Sequence, residues 1–466
     1  MIDSVGNGDR HVPAITSEPV RDWSFGVVTG HRLQVVLSMI IGIAVLYGIQ
    51  DFIWHAYSQP HTSAERIWAW GQVLWIIAFI PGTLGLLGML KFRHPANLDN
   101  AQPIHTLVSW RIVSRGINLE TLISTIQRCQ REMGRTPLFP YVIEVIIDND
   151  VSEKLPADRD IRYIRVPDAY RTCKKTRYKA RALHYAAEHS DLPDDSWIIH
   201  LDEETQPTSS GIKGICAFIR EEEYSENPRI GQGAILYHRQ WRKFPFLTLA
   251  DNVRTGGDFA QFHLEHTLGI TFFGFHGSYI VVRNDIEKSI GFDFGPQGSI
   301  TEDAFWALVA MEKGHRSRWV EGYLEEQSTQ SVSDFIRQRR RWFQGLAKVA
   351  LYAPVKAYWR FSIGLFTVMW ILEPITQLYT IIHFFYGFTS VWWIRFLANY
   401  SFVSFLLIYL VGLKANLEEH GVRNLIHRTG WYMYQIFLYP VFSFLESMGV
   451  VAAIVRPAPG FHVVKK

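Results

Sequence analysis

Hydrophobic and polar positions fall into long apolar blocks near the two ends of the chain and a short alternation between them. Five apolar segments stand out: Leu33–Tyr57, Ile67–Leu90, Ser362–Ser390, Val391–Leu413 and Trp431–Val455. Each reaches the roughly 20 residues that a helix needs to cross a bilayer. Together they hold four charges: Asp51, Glu373, Arg395 and Glu446. The first segment starts too late and runs too long for a cleaved leader, and it lacks a small-residue cleavage site, so it reads as an anchor. The short loop Ser58–Arg66 makes a hairpin of the first two.

Between Lys91 and Arg360 the period shortens. β-rich runs at His105–Trp110, Tyr141–Ile147, Ile161–Val166, Trp197–Leu201 and Arg229–Tyr237 alternate with helical patterns at Leu119–Met133, Lys179–His189, Ser209–Glu222 and Glu302–Glu312. This alternation predicts an α/β fold, a mostly parallel sheet with helices on both faces. In such sheets ligands bind outside the carboxyl ends of the strands. The expected layout is a polar tail over 1–32, a membrane hairpin over 33–90 and a polar α/β block over 91–336. A basic segment over 337–361, a membrane region over 362–455 and a tail over 456–466 follow.

Composition sharpens this layout. The 466 residues are 48% hydrophobic and 14% aromatic, with a mean hydropathy of +0.01. That near-zero value averages a greasy part with a part of ordinary charge density. It excludes a purely soluble protein, a compact transporter without an extramembrane domain, and a disordered chain. A net charge of +3 points to no nucleic-acid partner. Cys129, Cys173 and Cys216 are odd in number, far apart and confined to the polar block, which fits a reducing compartment. Arg337, Arg339, Arg340, Arg341, Lys348, Lys356 and Arg360 lie beside the third apolar segment. The positive-inside rule puts that side in the cytosol, and the stretch could lie along the bilayer surface as a helix.

Four clusters carry candidate chemistry, each with a plain structural alternative. Asp148 ends a strand and could accept hydrogen bonds from a nucleotide base, or simply make a turn. Asp202 and Glu204, one residue apart at the next strand end, offer the hard oxygens that Mg²⁺ takes alongside substrate phosphates; a solvated acidic turn is the alternative. Thr301-Glu302-Asp303 opens a helix, with Asp303 a candidate general base or Thr301 an N-cap over an acidic first turn. Gln338-Arg339-Arg340-Arg341-Trp342 offers guanidiniums for phosphate and an indole face for a sugar, or a juxtamembrane basic patch. Lys179 could help to hold a diphosphate. Thr267–Val282, with Phe275 and His276 among its glycines and aromatics, is either an acceptor loop or a buried strand with a bend.

The order Asp, Asp-x-Glu, Thr-Glu-Asp, Gln-x-x-Arg-Trp resembles the membrane-embedded family 2 glycosyltransferases, over roughly Ile104–Leu346 and the flanking apolar segments. The stretches WIIHLDEET, IGQGAILY, GSITEDAFW and RQRRRWFQGL further resemble the Egghead-type β-1,4-mannosyltransferases of animals. Glu204 departs from a strict Asp-x-Asp and sets its carboxylate one methylene further out. The resemblance implies a GT-A fold and inverting transfer of mannose from GDP-mannose to glucosylceramide, with Mg²⁺ or Mn²⁺. It implies Asp303 as base; Asp148, Lys179, Asp202, Gln338, Arg340 and Arg341 on the donor; Asp202 and Glu204 on the metal. Glu302, Trp342, Phe275 and His276 fall to the acceptor. The expected setting is a multi-pass protein of the endoplasmic reticulum or Golgi membrane, its catalytic domain in the cytosol and its glycolipid acceptor held in the lipid bilayer. The rivals are a processive polysaccharide synthase and, from another class, a transporter or scramblase with a cytosolic domain.

Overall fold

A computed structural model describes residues 28–53, 60–92, 98–148, 154–237 and 245–458. The polar N-terminal tail up to residue 27, Asn149-Asp150 and the terminal Lys465-Lys466 lie outside them.

The chain enters through α1 (Val28–Ile53) and returns through α2 (Ser63–Trp70), a 3₁₀ stretch (Gly71–Ala78) and α3 (Phe79–Lys91). A capping box starts the return: Thr62 Oγ1 accepts from Glu65 N at 3.2 Å, and the Glu65 carboxylate accepts from Thr62 N at 2.9 Å. The polar block follows as β1 (Val108–Ser114), α4 (Leu119–Arg135), β2 (Tyr141–Ile147), β3 (Ile161–Arg165), α5 (Tyr178–Glu188), β4 (Trp197–Asp202), α6 (Ser209–Glu222) and β5 (Ile230–Leu236). Next come α7 (Pro245–Ala250), α8 (Asn252–Gly257), a π-helical turn (Asp258–Phe262), α9 (His263–Leu268), β6 (Ile280–Arg283), α10 (Asn284–Ile290), α11 (Glu302–Glu312) and β7 (Ser317–Glu325). The amphipathic α12 (Val332–Tyr352) leads to α13 (Ala357–Phe385), α14 (Trp392–Glu419) and α15 (Leu425–Val455).

The sheet runs β3-β2-β1-β4-β6-β5-β7. β6 is antiparallel to β4 and β5, and the other pairings are parallel. The expected α/β class therefore holds. Register aligns Ser114 with Ile147 and Val113 with Asp202, so Asp148 and Asp202 share the carboxyl edge. Two apolar layers cover the sheet. One centres on Trp110, Ile143, Trp197 and Ile215, the other on Ile198, Leu183, Trp306 and Val282.

Several expected bounds shift. The run His105–Trp110 becomes β1 at Val108–Ser114, because the polar Ser109, Arg111 and Ser114 belong to the strand. Arg111 is fully buried and donates to Glu144 at 2.7 and 3.0 Å and to Glu287. β6 lies inside the stretch Thr267–Val282, so that stretch is part loop and part buried strand. The basic segment divides: α12 ends at Tyr352, and Tyr358, Trp359 and Arg360 already belong to α13.

Five helical stretches are long and apolar enough to cross a membrane: Arg32–Phe52, Ser63–Lys91, Ala357–Phe385, Trp392–Glu419 and Leu425–Val455. Within them, the four charges of the apolar segments have partners. Asp51 pairs with Arg395, Glu446 takes Arg339 Nε at 2.7 Å, and Glu373 accepts from Ser443 Oγ at 3.0 Å. Charges with partners suit helix-to-helix ties, since a lone intramembrane charge is costly.

Candidate active site

At the carboxyl edge three elements converge. β4 delivers Asp202, the first turn of α5 delivers Lys179, and the first turn of α11 delivers Glu302 and Asp303. Lys179 Nζ donates to Asp202 Oδ1 at 2.5 Å, lies 3.2 Å from Glu302 Oε1 and reaches the Gly277 carbonyl at 3.3 Å. The cation is buried, yet its acidic neighbours hold its pKa above the ordinary lysine value. Lys179, Gly277, Glu302 and Asp303 line a small cavity with His200, Phe292 and Trp306.

Asp303 is the outlier. Burial pushes its carboxyl up to about 7, Glu302 and Asp202 push the same way, and Lys179 and the Ala304 amide oppose them. The Ala304 N–H donates to Oδ1 at 2.8 Å, and Oδ2 faces Gly277. A Cβ on Gly277 would come within 3.1 Å of Asp303 Oδ2, 3.1 Å of Lys179 Nζ and 3.6 Å of Asp202 Oδ2. Gly277 therefore leaves open a space that a methyl group would crowd. Thr301 takes the N-cap position without a side-chain cap bond; its side chain packs against Gly345 of α12.

Arg341 enters from α12. Burial pulls its guanidinium below the ordinary value, against Glu302, Asp202, Glu204 and Asp303. Those four acids and Lys179 surround a single focus. Asp148 stands on the same edge further along, where its Oδ1 accepts from Arg181 Nη2 at 2.8 Å.

The remaining candidates lie elsewhere. Gln338 is buried, and its Oε1 accepts from Arg339 Nη1 at 2.7 Å. Arg340 reaches away, to the Arg456 carbonyl at 3.3 Å. The Trp342 ring carries two guanidiniums, Arg339 at 4.3 Å and Arg254 at 4.7 Å. Phe275 is core, between His266 and Trp306. His276 pairs with Asp258, with Nε2 3.1 Å from Oδ1. Burial opposes its protonation, but Asp258 outweighs that and raises its pKa.

Sequence reasoning missed several residues. Glu203, between the two candidate metal ligands, turns inward and accepts from Ser114 Oγ and Asn118 Nδ2, each at 2.6 Å. Arg254 and Asp258 gave no signal in the sequence.

The donor set can be tested against a divalent cation. No cage of three or more His, Cys, Asp or Glu side chains occurs among the described residues. Asp202 and Glu204 give hard oxygens from one strand end, with Asp202 a third exposed. Two carboxylates completed by phosphate oxygens is the usual Mg²⁺ arrangement, so the residues fit a metal that arrives with a phosphorylated substrate.

Residues 197–445 match the family model described as glycosyl transferase family group 2. The chain belongs to that family. With membership comes the GT-A fold, which the mixed, mostly parallel sheet displays, and the enzyme class of hexosyl transfer. The chain is 29% identical to the β-1,4-mannosyltransferase bre-3 of Caenorhabditis briggsae, over 82% of this chain and 83% of that one. It is 27% identical to the β-1,4-mannosyltransferase egh of Drosophila melanogaster, over 89% and 90%. Among solved structures it is similar to a mannosyltransferase of Pyrobaculum calidifontis in complex with GDP-Man and Mn²⁺. That likeness has a TM-score of 0.48 and 11% identity, covering 84% of this chain and 98% of that one.

Proposed function

We propose that this hexosyltransferase moves mannose from GDP-mannose to the glucose of glucosylceramide, forming a β-1,4 linkage on the cytosolic face of the endoplasmic reticulum or Golgi membrane. The observation that carries the reading is Asp303. A buried carboxyl titrating near 7, beside an open space at Gly277, suits a general base whose best pKa lies near the working pH. The named relatives support mannose and the β-1,4 linkage, and the five apolar helices support a lipid-borne acceptor.

In this reading Asp148 meets the nucleoside base at the sheet edge. Asp202 and Glu204 hold Mg²⁺ or Mn²⁺, which when bound neutralises charge on the leaving diphosphate. Lys179 and Arg341 add fixed positive charge there. Asp303 takes the proton of the acceptor hydroxyl while that oxygen bonds to the anomeric carbon. The carbon–oxygen bond to the diphosphate breaks, and its electron pair leaves with the nucleoside diphosphate. One displacement inverts the anomeric centre, so an α-linked donor gives a β-product. Glu302, His276 and Trp342 lie on the acceptor side, and the bilayer presents the head sugar at the site, turning a free search into an oriented encounter.

The test is a donor-by-acceptor matrix: GDP-mannose, UDP-glucose, UDP-galactose and UDP-N-acetylglucosamine against glucosylceramide and simple glycosides. One hexose added from GDP-mannose to glucosylceramide is expected, lost with EDTA and restored by Mg²⁺ or Mn²⁺. A polymeric product, or preference for a UDP-sugar, overturns the reading.

A further inference from the structure

The segment from Asn252 to Phe262 joins the two halves of the protein and contributes to neither the acid cluster nor the sheet. It begins as α8 and continues as the π-helical turn Asp258–Phe262. Such turns are rare and recur at functional sites.

One side of the segment is seated on the membrane helices at backbone contact. A Cβ on Gly256 would fall 1.8 Å from the Ile408 carbonyl oxygen of α14. One on Gly412 would fall 2.0 Å from the Asn252 carbonyl oxygen, and one on Gly88 of α3 would fall 1.7 Å from that of Ala260. Three glycines on three elements therefore let the backbones touch. Buried amides lock the contact. Asn416 Nδ2 donates to Asn252 Oδ1 and Asn252 Nδ2 to Gln435 Oε1, each at 2.7 Å.

The opposite side holds the catalytic half. Asp258 Oδ2 accepts from Ile235 N at 2.8 Å, and Thr255 Oγ1 donates to the Ile235 carbonyl at 2.9 Å, both on β5. Arg254 and Asp258 also reach the acceptor side. Arg254 lies over Trp342 at 4.7 Å and over Tyr237 at 4.4 Å. Asp258 Oδ1 lies 3.1 Å from His276 Nε2. His276 is the residue before Gly277, which borders Asp303.

We infer that Arg254 and Asp258 are positioning residues for acceptor binding. They form a mount, seated on α3 and α14, that sets Trp342 and His276 at a fixed place relative to the bilayer. Neither touches the acid cluster. They act on where the acceptor sugar sits and leave the donor alone. Arg254 orients the indole through its planar guanidinium, and Asp258 fixes the imidazole by charge at 3.1 Å. The inference rests on the assignment of the acceptor side under the proposed function.

The test is steady-state kinetics of the full-length protein with Asp258→Asn, Arg254→Lys and His276→Gln, read for donor and acceptor separately. Asp258→Asn keeps an oxygen for the Ile235 amide but loses the charge facing His276. Acceptor KM is expected to rise about tenfold or more, while donor KM and slow donor hydrolysis stay within about twofold; intact hydrolysis also reports an intact fold. In a His276→Gln background, Asp258→Asn is expected to cost nothing further. Equal changes in donor and acceptor KM, unchanged acceptor KM, or additive effects in the double variant overturn the mount. Should hydrolysis be lost, Arg254→Lys gives an independent reading: acceptor KM rises with donor KM kept if the mount sets the acceptor side, and an unchanged acceptor KM overturns it. A parent protein inactive on glucosylceramide sinks the substrate reading alone. The mount is then judged on whichever acceptor the parent uses.

Discussion

Two groups of charges meet a few residues apart at β4, one buried and one at its open end, and they are built on opposite principles. Below the carboxyl edge, Arg111 joins Glu144 and Glu287, His200 Nε2 stands 2.7 Å from Glu287, and Arg162 approaches Glu144 at 3.7 Å. Every carboxylate there faces a cation or an imidazole, and burial has not raised Glu287; Arg111 and His200 hold it below its usual range. At the edge itself, Asp202, Glu204, Glu302 and Asp303 gather, among the described residues, around Lys179 and Arg341. The first group closes its charge balance and ties β1, β2, β4 and α10 together. The second is short of positive charge, and Asp303 answers by holding its proton up to about pH 7. Balance makes structure, and deficit makes a site that can take a cation or a proton.

The largest effect expected from disturbing this contrast is on turnover. Asp303→Asn should lower kcat by about 10²–10⁴-fold, the usual contribution of a positioned base, with donor affinity largely kept. Near-normal turnover in that variant would remove Asp303 from the reaction. Glu287→Gln strikes the balanced group and should instead cost about 3–5 kcal/mol of stability, as when one partner of a buried pair is removed. A thermal midpoint within a degree of the parent would show that the network ties nothing together.

A smaller effect has the opposite sign. Asp303 binds its proton more tightly in the folded state than in the unfolded chain, whose carboxyl has the ordinary value. Between that value and about pH 7 the folded state holds the extra proton, so the stability it confers is lost as pH rises through about 7. Asp303→Asn, neutral at every pH, should therefore melt higher than the parent at pH 8 and close to it at pH 5. Melting lower at both would show that the carboxylate is compensated. The parent rate should fall about tenfold per pH unit below 7, as the base form is lost; a flat profile down to pH 5 would place the functional pKa elsewhere. The mildest change expected is that of Asp202→Ala, a weaker metal-dependent donor affinity measured by titration. Affinity equal with and without Mg²⁺ would refute the metal assignment.

Much of the site was legible because local signals carried it. A hydrophobic strand ending in an acid put Asp148 and Asp202 on one edge, and an acidic first helical turn marked Glu302 and Asp303. The rest depends on topology. Nothing near Lys179 in the sequence says that a residue more than a hundred positions later will share its charge. That meeting requires β6 to run against its neighbours and bring Gly277 between them. β7 escaped notice because Arg318, Glu321 and Gly322 interrupt its apolar pattern. β1 was misplaced because Arg111 sits in it, a charge that a central strand tolerates only with Glu144 and Glu287 already facing it. Arg340 shows the reverse error: three adjacent arginines look alike in sequence, but helical geometry sends Arg339 to Glu446, Arg340 to Arg456 and Arg341 to the acids.

The backbone contacts at Gly88, Gly256 and Gly412 bear on how this protein can be dissected. Apolar and polar stretches read as modules, and the polar one invites excision as a soluble enzyme. The seams between them run the other way. Asn252 and Arg339 find partners on α14 and α15, through Asn416, Gln435 and Glu446, and Asp251 accepts from the same Arg339 guanidinium. A fragment ending at Tyr352 would keep the sheet and strand those groups, leaving the Asn252 amide without its partners on α14 and α15 and the buried Arg339 guanidinium without Glu446. The unit of folding spans both phases. For this protein, solubilisation means choosing a detergent rather than a truncation.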